Sequence, residues 1–454
     1  MIGEKKRRGW LFAVLVVSLL CGCSEGHETK QSNDAGSLTE KTPTEDAATD
    51  QQFDLNELKA DFDQLVAAFD DNPKVFTDLT AYEAVIEEQK ELLGQNMSRR
   101  KFYNLVTPIV AAIRCGHTSL SMPSGSDTVY KLVPLGIKFV NNKAYIIVDY
   151  SGSGIEAGSE LLSINGKNVD DITARMLQRI TADGDNQTTK PYKLNNWFGS
   201  LYPDLIDEAD TYAVEVIPVG ADDAVRYDLN PNTMSADQLQ ANAAVPSGDF
   251  KADYATLVVG SFNFYDAVGQ TGFKESVDAF FGTLGENKTE NLILDLRDNW
   301  GGDPTVAAYL LSHLISEPIA YFSSEYGGAF YDALTKPLEV ADNAFHGNLY
   351  VLVNGASFSS TGHVASLLAY HNIGTFVGQE TGGGYLCTDN TETVVLNHTG
   401  LVLRSSRTIF KTAVEGMVLG RGIIPDYETT RTVADYVNGV DLEMAKAIEL
   451  IGKQ

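Results

Sequence analysis

Two short stretches of this 454-residue chain carry residue types that could make and break a covalent bond. The first is Val353-Asn354-Gly355-Ala356-Ser357-Phe358-Ser359-Ser360-Thr361-Gly362-His363. A hydrophobic run enters a turn of small residues and an apolar, helix-like run follows, so the pattern predicts strand, turn and helix. A serine at the head of that helix sits among free backbone N–H groups and at the positive end of the helix dipole. Both favour an attacking alkoxide and an oxyanion beside it. The same position would also suit a plain helix cap, and Ser357, Ser359 and Ser360 are local alternatives. The second stretch is Asp295-Leu296-Arg297-Asp298-Asn299-Trp300-Gly301-Gly302. Here a buried strand ends in charged residues and a glycine pair that lets backbone N–H groups come close to a ligand. Asp295 and Arg297 read as an ion pair holding the strand end.

The elements around these stretches are an α/β (α+β multidomain) arrangement. Residues 250–454 alternate strand-like runs (ATLVVGSF, NLILDLR, NLYVLVN, IGTFVGQ) with helix-like ones (VAAYLLSHLI, TGHVASLLAYH), the pattern of an α/β domain. A single final helix is expected across 431–452. Residues 131–220 read as a β-rich module. PLGIKF and KAYIIVDY are strands separated by Asn141-Asn142, and GSELLSINGKNV has a turn, a buried strand and an Asn-Gly turn before a helix. That piece resembles a PDZ module, which implies peptide-carboxylate capture by the backbone of Leu135, Gly136 and Ile137. Residues 175–213 do not fit it and read as an insertion. Residues 51–127 form a helical subdomain, with Phe53, Leu55, Leu58, Phe62, Leu65, Val66 and Phe69 on one face, Ser98 as a helix cap and Pro108 as a kink or boundary.

The first 23 residues carry a separate message. Lys5, Lys6, Arg7 and Arg8 precede the apolar run Trp10–Leu20, which is short for a membrane span. Leu20-Cys21-Gly22-Cys23 then resembles the lipobox of bacterial lipoproteins, which implies cleavage before Cys23 and lipidation of its thiol. Residues 24–50 are polar, acidic and poor in large apolar side chains, so a flexible tether is expected. A cell-envelope location follows from these features. The net charge of −27 argues against nucleic-acid partners. The seven histidines form no metal-ligand spacing and no phosphate-binding loop is present, so neither metal nor cofactor is expected.

Taken together, RCGHTSL, ILDLRDNWGG, LVNGASFSSTGH, IGTFVGQETGGG and GRGIIPD resemble the C-terminal processing (tail-specific) proteases and the related tricorn core peptidases. The resemblance spans roughly residues 55–430 and implies a C-terminal serine-peptidase core of the ClpP/crotonase-like type. It makes Ser359 the nucleophile and Gly301, Gly302 and Ser360 the oxyanion-hole residues. The catalytic Lys of one branch is absent, its position being Gly384, so the resemblance points to the branch with a histidine base. Cys115-Gly116-His117-Thr118 matches that branch's Asp-Gly-His-Thr segment with Cys115 in place of Asp, and His117 becomes the base. His363 is the rival. The branch's orienting Ser is replaced by Gly116, and Glu415 is the candidate third member. If both segments line one site, Cys115 and Cys387 become neighbours, either as a disulfide or as two separate buried thiols. The expected function is an envelope serine endopeptidase acting on peptide or protein substrates and recognising C-terminal tails. The alternative is an inactive lipoprotein that binds peptides or hydrophobic ligands.

Overall fold

The structure, a computed structural model, describes residues 51–123, 129–235, 243–324 and 329–453. The leader, Cys23 and the acidic stretch 24–50 lie outside the described residues. Among the described residues no helix is long and apolar enough to cross a membrane.

The N-terminal part opens with α1 (Leu55–Ala67). Asp54 and Glu57 close a capping box at its start, and Leu58, Phe62 and Leu65 are buried on its inner face. α2 (Leu79–Leu92) and α3 (Arg99–Ala112) pack beside it, and Ser98 caps α3 as expected. α3 runs through Pro108 to Ala112 without ending there. The chain leaves it through Arg114, in the left-handed region at φ 59°, passes Cys115-Gly116-His117 and enters β1 (Ser119–Ser121).

The β-rich module contains β2 (Leu135–Val140), β3 (Lys143–Asp149), β4 (Ser159–Ile164), α4 (Val169–Leu177), α5 (Thr189–Leu205), β5 (Tyr212–Ile217) and β6 (Val225–Leu229). Asn141 and Asn142, at φ 50° and 62°, form the two-residue turn that joins β2 to β3. The sheet runs β6-β5-β4-β3-β2, which leaves β2 at its edge. That edge is occupied by α5. The Phe139 N–H donates to Asn195 Oδ1 at 2.6 Å, and just before β2 the Val133 N–H donates to the Gly199 carbonyl at 3.0 Å. Leu135 and Ile137 are buried in the core. The expectation that Leu135, Gly136 and Ile137 present a peptide-binding edge is therefore corrected, because α5 already takes the place where a peptide strand would add.

The C-terminal half is built on a six-stranded sheet. Its strands are β7 (Ser247–Phe250), β8 (Ala255–Val258), β9 (Asn291–Asp295), β10 (Asn348–Val353), β11 (Thr375–Gly378) and, after four further strands, β16 (Tyr427–Glu428). The order is β7-β8-β9-β10-β11-β16, with β7 antiparallel and the rest parallel. Helices α6 (Ala267–Glu286), α7 (Pro304–Ser312) and α8 (Ser360–Tyr370) contribute to the larger buried cluster of this half, which contains Leu257, Leu294 and Val351. A smaller cluster joins Ile293, Tyr350, Leu352 and Val377 to Ala447 of the last helix. Strands covered on both faces explain why NLILD and NLYVLV are nearly continuous apolar runs. The single terminal helix expected over 431–452 is two, α9 (Val433–Asn438) and α10 (Leu442–Ile451). Gly439 ends α9 in the left-handed conformation at φ 63°, and Asp441 caps α10.

The four further strands are β12 (Leu386–Asp389), β13 (Glu392–Val395), β14 (Val402–Ser405) and β15 (Thr408–Lys411). The β13–β14 hairpin reaches across to the N-terminal part, where β14 pairs antiparallel with β1. Its Leu396, Leu401 and Leu403 are buried in one cluster with Leu58, Phe102 and Ile109 of the helices and Ile146 and Leu161 of the β-module. The hairpin tip is held by the buried carboxylate of Asp61, which accepts from the His398 N–H at 3.0 Å, the Thr399 N–H at 2.7 Å and the Thr399 hydroxyl at 2.6 Å. Arg99 Nε donates to the Thr399 carbonyl at 2.6 Å. Asp61→Ala strands these donors and is expected to destabilise the protein by about 2–4 kcal/mol. The measurement is the midpoint of urea unfolding; an unchanged midpoint would mean the hairpin does not depend on this carboxylate.

Candidate active site

Ser359 lies in the turn between β10 and α8, as its surroundings predict, but its backbone is unusual. It has φ 54° and ψ −125°, a conformation that a non-glycine residue adopts at a cost of about 1–3 kcal/mol. Its hydroxyl makes no capping bond to α8. The Oγ instead faces His117, at 3.0 Å from Nε2. The neighbouring serines have other work. Ser357 donates to the Leu296 carbonyl at 2.9 Å, and Ser360 donates to the Gly302 carbonyl at 2.6 Å.

His117 is buried and reaches Ser359 from the segment between α3 and β1, 242 residues away in sequence. Its ring lies against Phe358, with centroids 4.6 Å apart. Gly116 allows this approach, because a Cβ there would stand 2.5 Å from Phe358 Cζ. A side chain at 116 would have to displace the Phe358 ring.

Three titratable side chains surround the imidazole. Asp389, at the end of β12, places Oδ2 at 3.6 Å from Nε2. Cys115 and Asp183 bring their donor atoms, with one from His117, within 4.8 Å of one another. No other such trio is found among the described residues, so these are the residues that could share a cation. The thiol of Cys115 is already engaged with the Thr388 hydroxyl at 3.0 Å and the Ser406 hydroxyl at 3.3 Å. Burial works to lower the His117 pKa, but Asp389, Cys115 and Asp183 outweigh it and push it up to about 9. Burial raises Asp183 to about 6, opposed by His117, the Gly116 N–H and Lys193. His363, the rival base, is also buried. Burial, with His117 nearby, lowers it to about 3, and its Nε2 faces Cys387 Sγ at 3.4 Å. It stays neutral and is committed elsewhere.

The loop after β9 comes against the Ser359 turn. Gly301 and Gly302 have φ of 93° and 138°, and a Cβ on Gly301 would stand 2.6 Å from Ser359 Cβ. The Gly301 N–H donates to Asn299 Oδ1 at 2.9 Å, so its donor is spent within the loop. That leaves Gly302 of the glycine pair, with the Ser360 N–H at the first turn of α8, as the groups suited to an oxyanion. Trp300 extends this wall, with its ring centroid 5.0 Å from that of Trp197 and 5.8 Å from that of Phe358.

Two site expectations are corrected. Glu415 is exposed, beyond the end of β15, and makes no ion pair with His117 among the described residues. Cys115 and Cys387 are both free, buried thiols. Cys115 packs on Thr388, whereas Cys387, the preceding residue of the same strand, faces His363. Side chains alternate between the faces of a strand, so the two sulfurs cannot meet. Asp183 and Asp389 were missed. Asp183 belongs to TADGDNQTTK, which carries turn chemistry and no periodicity, and nothing local marks it as facing a histidine.

Residues 253–429 match the family model described as Peptidase family S41. The chain therefore carries an S41 peptidase domain and is a serine-type peptidase. Its fold is similar to that of a crystal structure of mature CPAF (TM-score 0.63, 13% identity, covering 87% of this chain and 96% of that chain). It is likewise similar to mature CPAF complexed with lactacystin (TM-score 0.62, 14% identity, 88% and 99%). No curated protein matches the chain.

Gly116→Ala drives its methyl into Phe358 and should tilt the His117 ring off Ser359. Hydrolysis of labelled casein is expected to fall at least about tenfold, in keeping with the sensitivity of catalysis to small displacements, with partial recovery in Gly116→Ala/Phe358→Leu. A fully active Gly116→Ala would show that the ring is not held by this contact.

Proposed function

We propose that this chain, starting from its S41 peptidase domain, is a cell-envelope serine endopeptidase in which Ser359 is the nucleophile and His117 its base. The observation that carries the reading is the 3.0 Å approach of Ser359 Oγ to His117 Nε2, made by a serine whose hydroxyl caps nothing. In the neutral form of His117, Nε2 takes the hydroxyl proton as Oγ attacks the peptide carbonyl. The carbonyl oxygen becomes an oxyanion facing the N–H groups of Gly302 and Ser360. The imidazolium then gives its proton to the leaving amine and an acyl-enzyme remains. Water, deprotonated by the same imidazole, releases the second product. With the β2 edge covered by α5, substrate selection falls to groups near Ser359, among them Trp300. The lipobox-like Cys23 supports anchoring to the membrane by a lipid on that thiol.

The charges around His117 set the pH dependence. A base must be neutral to accept a proton, and a pKa raised to about 9 keeps His117 charged below that pH. kcat/KM for a peptide substrate is expected to rise as pH increases through about 9. Asp389→Asn removes the charge that contributes most to the rise. The lost charge destabilises the imidazolium, so the acidic limb should move to lower pH. Peptide hydrolysis across pH 5–10, beside Ser359→Ala and His117→Ala, tests both points. Activity surviving either alanine variant would end the proposal.

A further inference from the structure

Among the described residues, the buried polar atoms without a hydrogen-bond partner include His117 Nδ1 and Asp183 Oδ2. An unpaired buried polar atom is costly, and two of them on neighbouring side chains call for a common explanation. Asp183 comes from the segment between α4 and α5 and is buried. Its other oxygen, Oδ1, accepts the N–H of Gly116 at 2.6 Å, so the carboxylate is tied to the residue next to His117. One carboxylate oxygen of Asp183 and one ring nitrogen of His117 lie within 4.8 Å, close enough for a direct bond after a small rotation or for one bridging water.

We infer that Asp183 is the positioning residue of His117: its Oδ2 accepts from Nδ1–H, directly or through one water, and completes a Ser359–His117–Asp183 relay. The inference rests on the Ser359–His117 reading and extends it. The other groups facing the imidazole fit the role less well. Asp389 approaches Nε2, the nitrogen that serves Ser359. Cys115 also interacts with the imidazole, but its thiol has two hydroxyl partners of its own and is a weak acceptor. His363 and Cys387 pair with each other. Lys193, buried with its Nζ on the Thr181 carbonyl at 2.9 Å, adds a positive charge that favours the ionised form of Asp183. A carboxylate on Nδ1 does two things: it selects the tautomer that leaves Nε2 free to accept, and it stabilises the imidazolium formed during attack.

The test compares purified full-length wild type, Asp183→Asn, Asp183→Glu, His117→Ala and Ser359→Ala. Asp183→Asn is expected to lower kcat for a peptide substrate by about 10²–10⁴-fold with KM changed little. Its acidic pH limb should shift to lower pH, because a charge supporting the imidazolium is gone. Asp183→Glu should recover part of kcat. Wild type should also show a downfield imidazole N–H proton resonance, read on the wild type itself, and a folded His117→Ala should lack it. A folded Asp183→Asn with wild-type kcat and pH profile overturns the positioning role and leaves the Ser359–His117 pair standing, as does a wild type that is active without the downfield proton. A folded wild type that hydrolyses no peptide overturns the pair itself, and the relay with it.

Discussion

The antiparallel pairing of Ser119–Ser121 with Val402–Ser405 decides where His117 sits. Ser359 belongs to the C-terminal sheet and His117 to the end of the N-terminal helices, and this small ladder, with the Cys115–Thr388 and Gly116–Asp183 contacts, holds them 3.0 Å apart. The hairpin is held by leucines sunk among the helices and by the Asp61 carboxylate at its tip. The site is therefore complete only when the two parts are packed together. A site divided this way has no local stability of its own and borrows it from the shared core.

The site concentrates features that cost free energy. Ser359 holds a conformation that side-chain-bearing residues avoid, Gly301 and Gly302 are at positive φ beside it, and several ionisable groups lie close together around His117. These costs are tolerated because the surroundings are rigid. β10 and α8 are buried for most of their length, and Ser360 ties its hydroxyl to the Gly302 carbonyl, joining the two halves of the proposed oxyanion site. The acidic groups around His117 raise its affinity for a proton, which makes it a stronger base and a less available one at neutral pH.

Much of this was legible in the sequence where the signal is local. The strand–turn–helix around Ser359, the glycine pair after β9, the Asn141-Asn142 hairpin and the Ser98 cap each follow from a few adjacent residues. His117 was found through a short motif, since its partner is 242 residues away. What sequence reasoning missed depends on long-range geometry or on a single backbone angle. Gly439 splits the last helix by adopting φ 63°. The two cysteines are kept apart by the alternation of one strand, and α5 covers the β2 edge with a segment that looked like an insertion. Asp183 sits in that same stretch, and only the folded chain shows what it faces.

The central claim is that Ser359 is activated by His117. The most direct measurement is intact-mass analysis of the full-length protein after exposure to a fluorophosphonate, with peptide mapping of the modified chain. The account predicts one adduct, on the peptide containing Ser359, and none in Ser359→Ala or His117→Ala. A folded wild type that takes up no reagent, or an adduct that persists in Ser359→Ala, would contradict it.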